Sequence, residues 1–122
     1  MAENQRLICA SSELVEGGDG FRFEVAEAGT MAPAFVVRHG GVVHGYLNRC
    51  AHVPVELDWQ PGKFFDADSR YLICATHGAI YEPNTGRCVG GPCAGQRLVA
   101  LDVFEQDGQV WLRQAAESQG KG

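Results

Sequence analysis

No stretch of this 122-residue chain keeps a helical spacing of apolar residues for more than about two turns. Short apolar runs alternate instead with breaks, many of them centred on the chain's sixteen glycines. The usual glycine share is about 7%, roughly half of what is found here. They follow no three-residue repeat, so a collagen-like helix is excluded. Placed between apolar runs, they mark turns. Phe21, Phe23 and Val25 alternate with Arg22 and Glu24, the period-two pattern of a half-buried strand. Arg6–Cys9, Ala34–Arg38 and Val42–Leu47 read as further strands, and His39-Gly40-Gly41 predicts a tight hairpin between the last two. Leu98–Glu105 and Gln109–Arg113 flank Gln106-Asp107-Gly108, and Asp-Gly is a preferred hairpin turn. The predicted fold class is all-β, with about eight or more short strands. One domain over residues 1–122 is expected, with a polar tail at 115–122.

Ten basic residues against fifteen acidic ones leave a net charge of −5. Partners such as duplex nucleic acid or an anionic membrane would call for the opposite balance. No run of 18 apolar residues exists to span a bilayer. The N-terminus lacks a basic segment followed by an apolar core, so the expectation is a cytoplasmic protein. In that setting five cysteines point to metal or redox chemistry before disulfides.

The stretch from about 48 to 95 has few regular strands and several sharp turns, and irregular chain of that length in a compact domain is usually functional. It holds four of the five cysteines and two of the four histidines. They form two pairs, Cys50-Ala51-His52 and Cys74-Ala75-Thr76-His77, separated by the twenty-one residues 53 to 73. Each pair follows an apolar strand and precedes a turn, so each loop tip offers one thiolate and one imidazole. Two centres suit such a set. Zinc would take all four ligands tetrahedrally. A two-iron, two-sulfide cluster would take two thiolates on one iron and two imidazoles on the other. Zinc sites of this composition generally group like ligands along the chain, whereas here each loop carries one of each.

These residues resemble the Rieske iron–sulfur family, whose signature is C-x-H, a spacer, then C-x-x-H-G. The match is Cys50-Ala-His52 and Cys74-Ala-Thr-His77-Gly78, with Tyr46-Leu47-Asn48-Arg49 before it and Tyr81, Thr85-Gly86 and Gly91-Pro92 after it. The resemblance extends over roughly residues 30 to 113. It implies stacked antiparallel sheets and a cluster-binding subdomain built from two loops. It also implies one [2Fe-2S] cluster, with Cys50 and Cys74 on the inner iron and His52 and His77 on the outer one. Imidazole in place of thiolate makes such a centre less negative and easier to reduce. Backbone N–H groups of Gly78, Gly90 and Gly91 are candidates to stabilise the added electron.

The chain departs from the high-potential members of that family. Val53-Pro54-Val55 and Gly78-Ala79-Ile80 contain neither the extra cysteine pair nor the serine of those members. Fewer hydrogen bonds to the cluster imply a lower potential. The spacer is also long, and Asp58–Arg70 reads as an inserted hairpin carrying Trp59, Phe64 and Phe65. Elsewhere the plain readings are preferred. Cys9 and Trp111 belong to the core, and Cys88 and Cys93 are small packing residues rather than a redox pair. Asp58, Asp66 and Asp68 form a solvated face, and His39 and His44 are not ligands.

The function implied is a ferredoxin-type electron carrier exchanging one electron with a reductase or an oxygenase. It is an oxidoreductase component with no catalytic set of its own. Alternatives are a small subunit of a larger reductase or oxygenase, or a structural zinc-binding module.

Overall fold

The computed structural model describes residues 4–27, 29–50, 55–58, 60–75, 78–91 and 95–114. His52, Trp59, His77, Cys93 and the expected tail 115–122 lie outside the described residues. Among the described residues, ten strands form three antiparallel sheets. The first sheet joins β1 (Asn4–Ala10), β10 (Gln109–Gln114) and β9 (Val103–Gln106) in that order. The second joins β2 (Phe21–Glu27), β3 (Thr30–His39), β4 (Val42–Leu47) and β8 (Ala100–Leu101). The third is small and joins β5 (Leu72–Ile73), β6 (Ile80–Tyr81) and β7 (Cys88–Gly90). The one helical element among the described residues is a 3-10 turn at Ser11–Glu13. No helix of the described residues is long and apolar enough to cross a membrane.

The central sheet is covered on both faces. Phe35, Val37 and Tyr46 turn to one side, against the third sheet and its loops. Val36 and Val43, and Ala34 and Leu47, turn to the other side, against residues of the first sheet such as Val110 and Leu112. This explains why Ala34-Phe35-Val36-Val37 is an unbroken apolar run: a strand buried on both faces has no polar side to show. The β3–β4 hairpin turns through Gly40 and Gly41, both at positive φ, as the short turn between those strands requires.

Two expectations about the end of the chain are corrected. Leu98–Glu105 is not one strand. It divides at Asp102, so that β8 pairs with β4 while β9 pairs with β10. The backbone of Asp102 accepts a hydrogen bond from Arg113 N at 2.8 Å, which anchors the switch between sheets. Trp111 is half-buried rather than a core residue, because Val110 and Leu112 on either side take the inward positions.

The inserted hairpin joins the two halves of the molecule. Ile73 N bonds Phe64 O at 2.9 Å and Asp66 N bonds Tyr71 O at 2.9 Å around the bend at Asp66–Arg70. The fully buried Phe64 ring stacks on Phe35 of the central sheet at 3.9 Å between centroids. Ser69 Oγ donates to Gly17 O at 2.9 Å, and Gly20 N donates to Gly62 O at 2.8 Å. A second tie comes from Tyr46, whose hydroxyl donates to Pro83 O at 2.6 Å. Burial pushes the Tyr46 phenol up to about 12, so it remains a donor at neutral pH.

His44 carries a pH-dependent part of the stability. One interaction of its ring is with the His39 backbone, while Nε2 is buried without a hydrogen-bond partner among the described residues. Burial holds its pKa below the ordinary histidine value. The unfolded chain therefore takes up a proton before the folded one does. Stability is expected to be level above about pH 6.5 and to fall as pH drops below it, until the folded-state pKa is passed. Urea unfolding at pH 8 and pH 5.5 checks this: the difference should shrink in His44→Gln, and an unchanged difference would assign the effect elsewhere.

Candidate metal centre

Cys50 and Cys74 occupy equivalent positions at the roots of two closed loops. Cys50 N donates to Val55 O at 2.8 Å, and Cys74 N donates to Ala79 O at 2.9 Å. Each bond closes a tight loop immediately after its cysteine. The histidine of each pair, His52 or His77, falls between those closing residues in the sequence. The loops are also tied together, since Ala75 N donates to Leu57 O at 3.0 Å. Both cysteines are buried, and both belong to one apolar cluster with Leu57, Ala79, Tyr81, Cys88 and Leu98. Two soft donors in one desolvated pocket are what an iron–sulfur centre takes from its inner side. The donors and their apolar surroundings therefore fit such a group.

The hydrogen bonding differs from the sequence expectation in two places. The Gly78 N–H is not available to an inorganic sulfide, because it donates to Cys74 O at 2.7 Å. Conversely, a hydroxyl reaches the site although Ala79 and Ile80 have none: the buried Tyr81 oxygen lies 3.2 Å from Cys50 Sγ. Gly91 makes the close approach that its missing side chain suggested. A Cβ there would sit 2.9 Å from both Ala79 Cα and Gly78 O, and its φ is +86°. The segment after β7 thus packs directly on the second ligand loop.

Cys88 is corrected from a packing thiol to a disulfide-bonded cysteine. Cys9, Cys50 and Cys74 are the described cysteines that form no disulfide. The cause is local geometry that composition does not carry. Cys88 N bonds Gln96 O at 2.8 Å, so the start of β7 lies beside the segment that returns at Gln96. Cys9 is a core residue as expected, in the separate cluster between the first and second sheets.

Asp58 is the functional-site residue that sequence reasoning placed wrongly. It is buried, not part of a solvated face. Asn48 Nδ2 donates to its Oδ1 at 2.9 Å, Gly62 N donates to its Oδ2 at 3.0 Å, and Arg22 Nε stands 3.2 Å from Oδ2. Asn48 also accepts from Leu57 N at 2.8 Å. This network grips both ends of the first ligand loop, Asn48 before Cys50 and Leu57-Asp58 after Val55. A flag was present in the sequence: Asp58 stands directly between the apolar Leu57 and Trp59.

A family model described as the Rieske [2Fe-2S] domain matches residues 4–112. The chain belongs to the Rieske [2Fe-2S] domain family. No curated protein sequence matches it. Among solved structures, it is similar to the ferredoxin of carbazole 1,9a-dioxygenase from Nocardioides aromaticivorans IC177. That comparison has 23% identity, a TM-score of 0.68 and coverage of 90% of this chain and 97% of the other. The Sphingomonas yanoikuyae B1 ferredoxin shares 22% identity at a TM-score of 0.68, over 91% of this chain and 99% of the other. The terminal oxygenase from the Nocardioides system shares 22% identity at a TM-score of 0.70, over 97% of this chain and 32% of the other. At these identities the likeness concerns the fold, and it agrees with the stacked antiparallel sheets of this Rieske domain.

Proposed function

We propose that this Rieske domain is a one-electron carrier whose [2Fe-2S] cluster is held by Cys50, His52, Cys74 and His77. The observation that carries the reading is the burial of Cys50 and Cys74 in one apolar cluster, each at the root of its ligand loop, with the two segments joined by the Ala75–Leu57 backbone bond. The bound cluster supplies reversible uptake of one electron. The chain's own residues do the rest. The cysteine thiolates and the apolar cluster around them exclude water. Asn48 and Asp58 hold the first loop, Gly91 backs the second, and Tyr81 directs its hydroxyl at the Cys50 sulfur. No substrate chemistry is assigned to the chain. Two similar structures are described as ferredoxins, one of them the ferredoxin of a dioxygenase, which supports a reductase and an oxygenase as redox partners. The chain is read as one domain of residues 1–122 with its cluster region at about 48–95, acting in the cytoplasm as part of a multicomponent oxidoreductase.

Anaerobically purified protein should contain iron and acid-labile sulfide in equal amounts, absorb in the visible and give a Rieske-type electron-spin signal on reduction. Zinc in a colourless protein would overturn the reading. Tyr81→Phe tests the local tuning. Removing a hydrogen bond to a thiolate that gains negative charge on reduction should cost the reduced form about 1 kcal/mol. The midpoint potential should therefore fall by about 40 mV. A potential equal to that of the parent protein would show that the hydroxyl does not act on Cys50.

A further inference from the structure

Residues 86–89 and 96–99 form a short antiparallel ribbon at the edge of the third sheet. Cys88 N donates to Gln96 O and Leu98 N donates to Gly86 O, each at 2.8 Å, and Arg87 faces Arg97 across the pair. Alternation sorts the side chains. Cys88 and Leu98 turn inward and join the cluster that contains Cys50 and Cys74. Arg87, Val89, Arg97 and Val99 turn outward. The valines are 44% and 48% exposed, which is high for branched apolar residues within a ribbon. A groove of about 560 Å³ lies at this ribbon, lined by Arg87, Cys88, Val89, Gly95, Gln96 and Arg97.

This arrangement gives the isolated fold little. Like charges directly opposite one another on a ladder are destabilising. Arg97 has no ion pair among the described residues, and the Glu82 carboxylate is 3.8 Å from Arg87 Nε, at the far limit of pairing. Yet the chain as a whole carries −5, so a cationic face stands out against its own background. A carboxylate laid across the ribbon would relieve the repulsion between the two guanidinium groups, and apolar side chains beside it would cover the two valines.

We propose that this ribbon is the docking face for an acidic, partly apolar surface on a redox partner protein. The proposal rests on the electron-carrier reading. The ribbon backs directly onto the centre, because Cys88 pairs in register with Tyr81, and Tyr81 contacts Cys50 Sγ.

Two measurements test it on the holoprotein. In the first, a fluorescein-labelled ten-residue peptide of glutamates with two leucines is titrated at low salt and followed by anisotropy. Binding should weaken about tenfold in Arg87→Gln/Arg97→Gln and at high salt, and should also weaken in Val89→Ser/Val99→Ser. A lysine-for-glutamate peptide should not bind. In the second, the reduced protein is oxidised by anionic ferricyanide or by cationic hexaammineruthenium(III). The double arginine variant should slow the first reagent at low salt and not slow the second, with the visible spectrum unchanged. Peptide binding that ignores the arginine variant, or no binding at all, would overturn the docking face. So would ferricyanide rates equal to those of the parent. Absence of a cluster in the parent protein would instead overturn the electron-carrier reading, and the peptide titration would still report on the surface.

Discussion

Cys74→Ala protein is expected to purify without visible colour, with neither iron nor labile sulfide. Cys74 is fully buried at the root of the second loop, and alanine leaves that position with no donor. Because metal binding contributes to folding free energy, the variant should also unfold at lower denaturant than the loaded parent. Cys9→Ala is the matching control. Cys9 is another buried cysteine, but it lies between the first and second sheets. Burial, chiefly, pushes it up to about 11, which keeps it protonated and unsuited to bind metal. Its variant should keep full iron content, as should Cys88→Ser, while His77→Ala should lose or alter the electron-spin signal. Normal iron and sulfide in Cys74→Ala would remove Cys74 from the ligand set.

Asp58→Ala should be the most damaging substitution outside the ligands themselves. The change leaves the Asn48 amide, the Gly62 N–H and the Arg22 guanidinium without their shared acceptor. Leaving the buried Asn48 amide and Gly62 N–H without an acceptor costs about 3 kcal/mol in all. For a domain of this size that corresponds to a fall in Tm of about 10 °C. Arg22→Gln should cost less, because the Arg22 side chain is 39% exposed and water can replace part of the interaction. The network also spans the first ligand loop, so milder Asp58→Asn protein that still folds should bind its cluster less tightly, read as faster loss of visible absorbance to a chelator. Thermal unfolding of Asp58→Ala within a degree or two of the parent would show that the network does not bear this load.

Much of the architecture was legible from local pattern. Alternation in Phe21–Val25, the paired glycines after His39 and the Asp107-Gly108 turn follow from side-chain direction and backbone sterics within a few residues. They are present in the fold as read. The spacing of Cys50 and Cys74 relative to their loops was legible for the same reason, since each closing bond spans only five residues.

What the tertiary structure alone decided involves residues distant along the chain. Burial of Asp58 depends on Arg22, thirty-six positions earlier, and on the inserted hairpin returning Gly62 beneath it. The Tyr81 hydroxyl meets Cys50 only because β6 and the root of the first ligand loop, thirty-one positions apart, join one buried cluster. Asp102 ends one strand and begins another because two sheets compete for the same segment. Steric preference and hydrophobic period act within a few residues and are written in the order of the side chains. Desolvation and hydrogen-bond partnership depend on what the rest of the chain places nearby, and only the folded molecule specifies that.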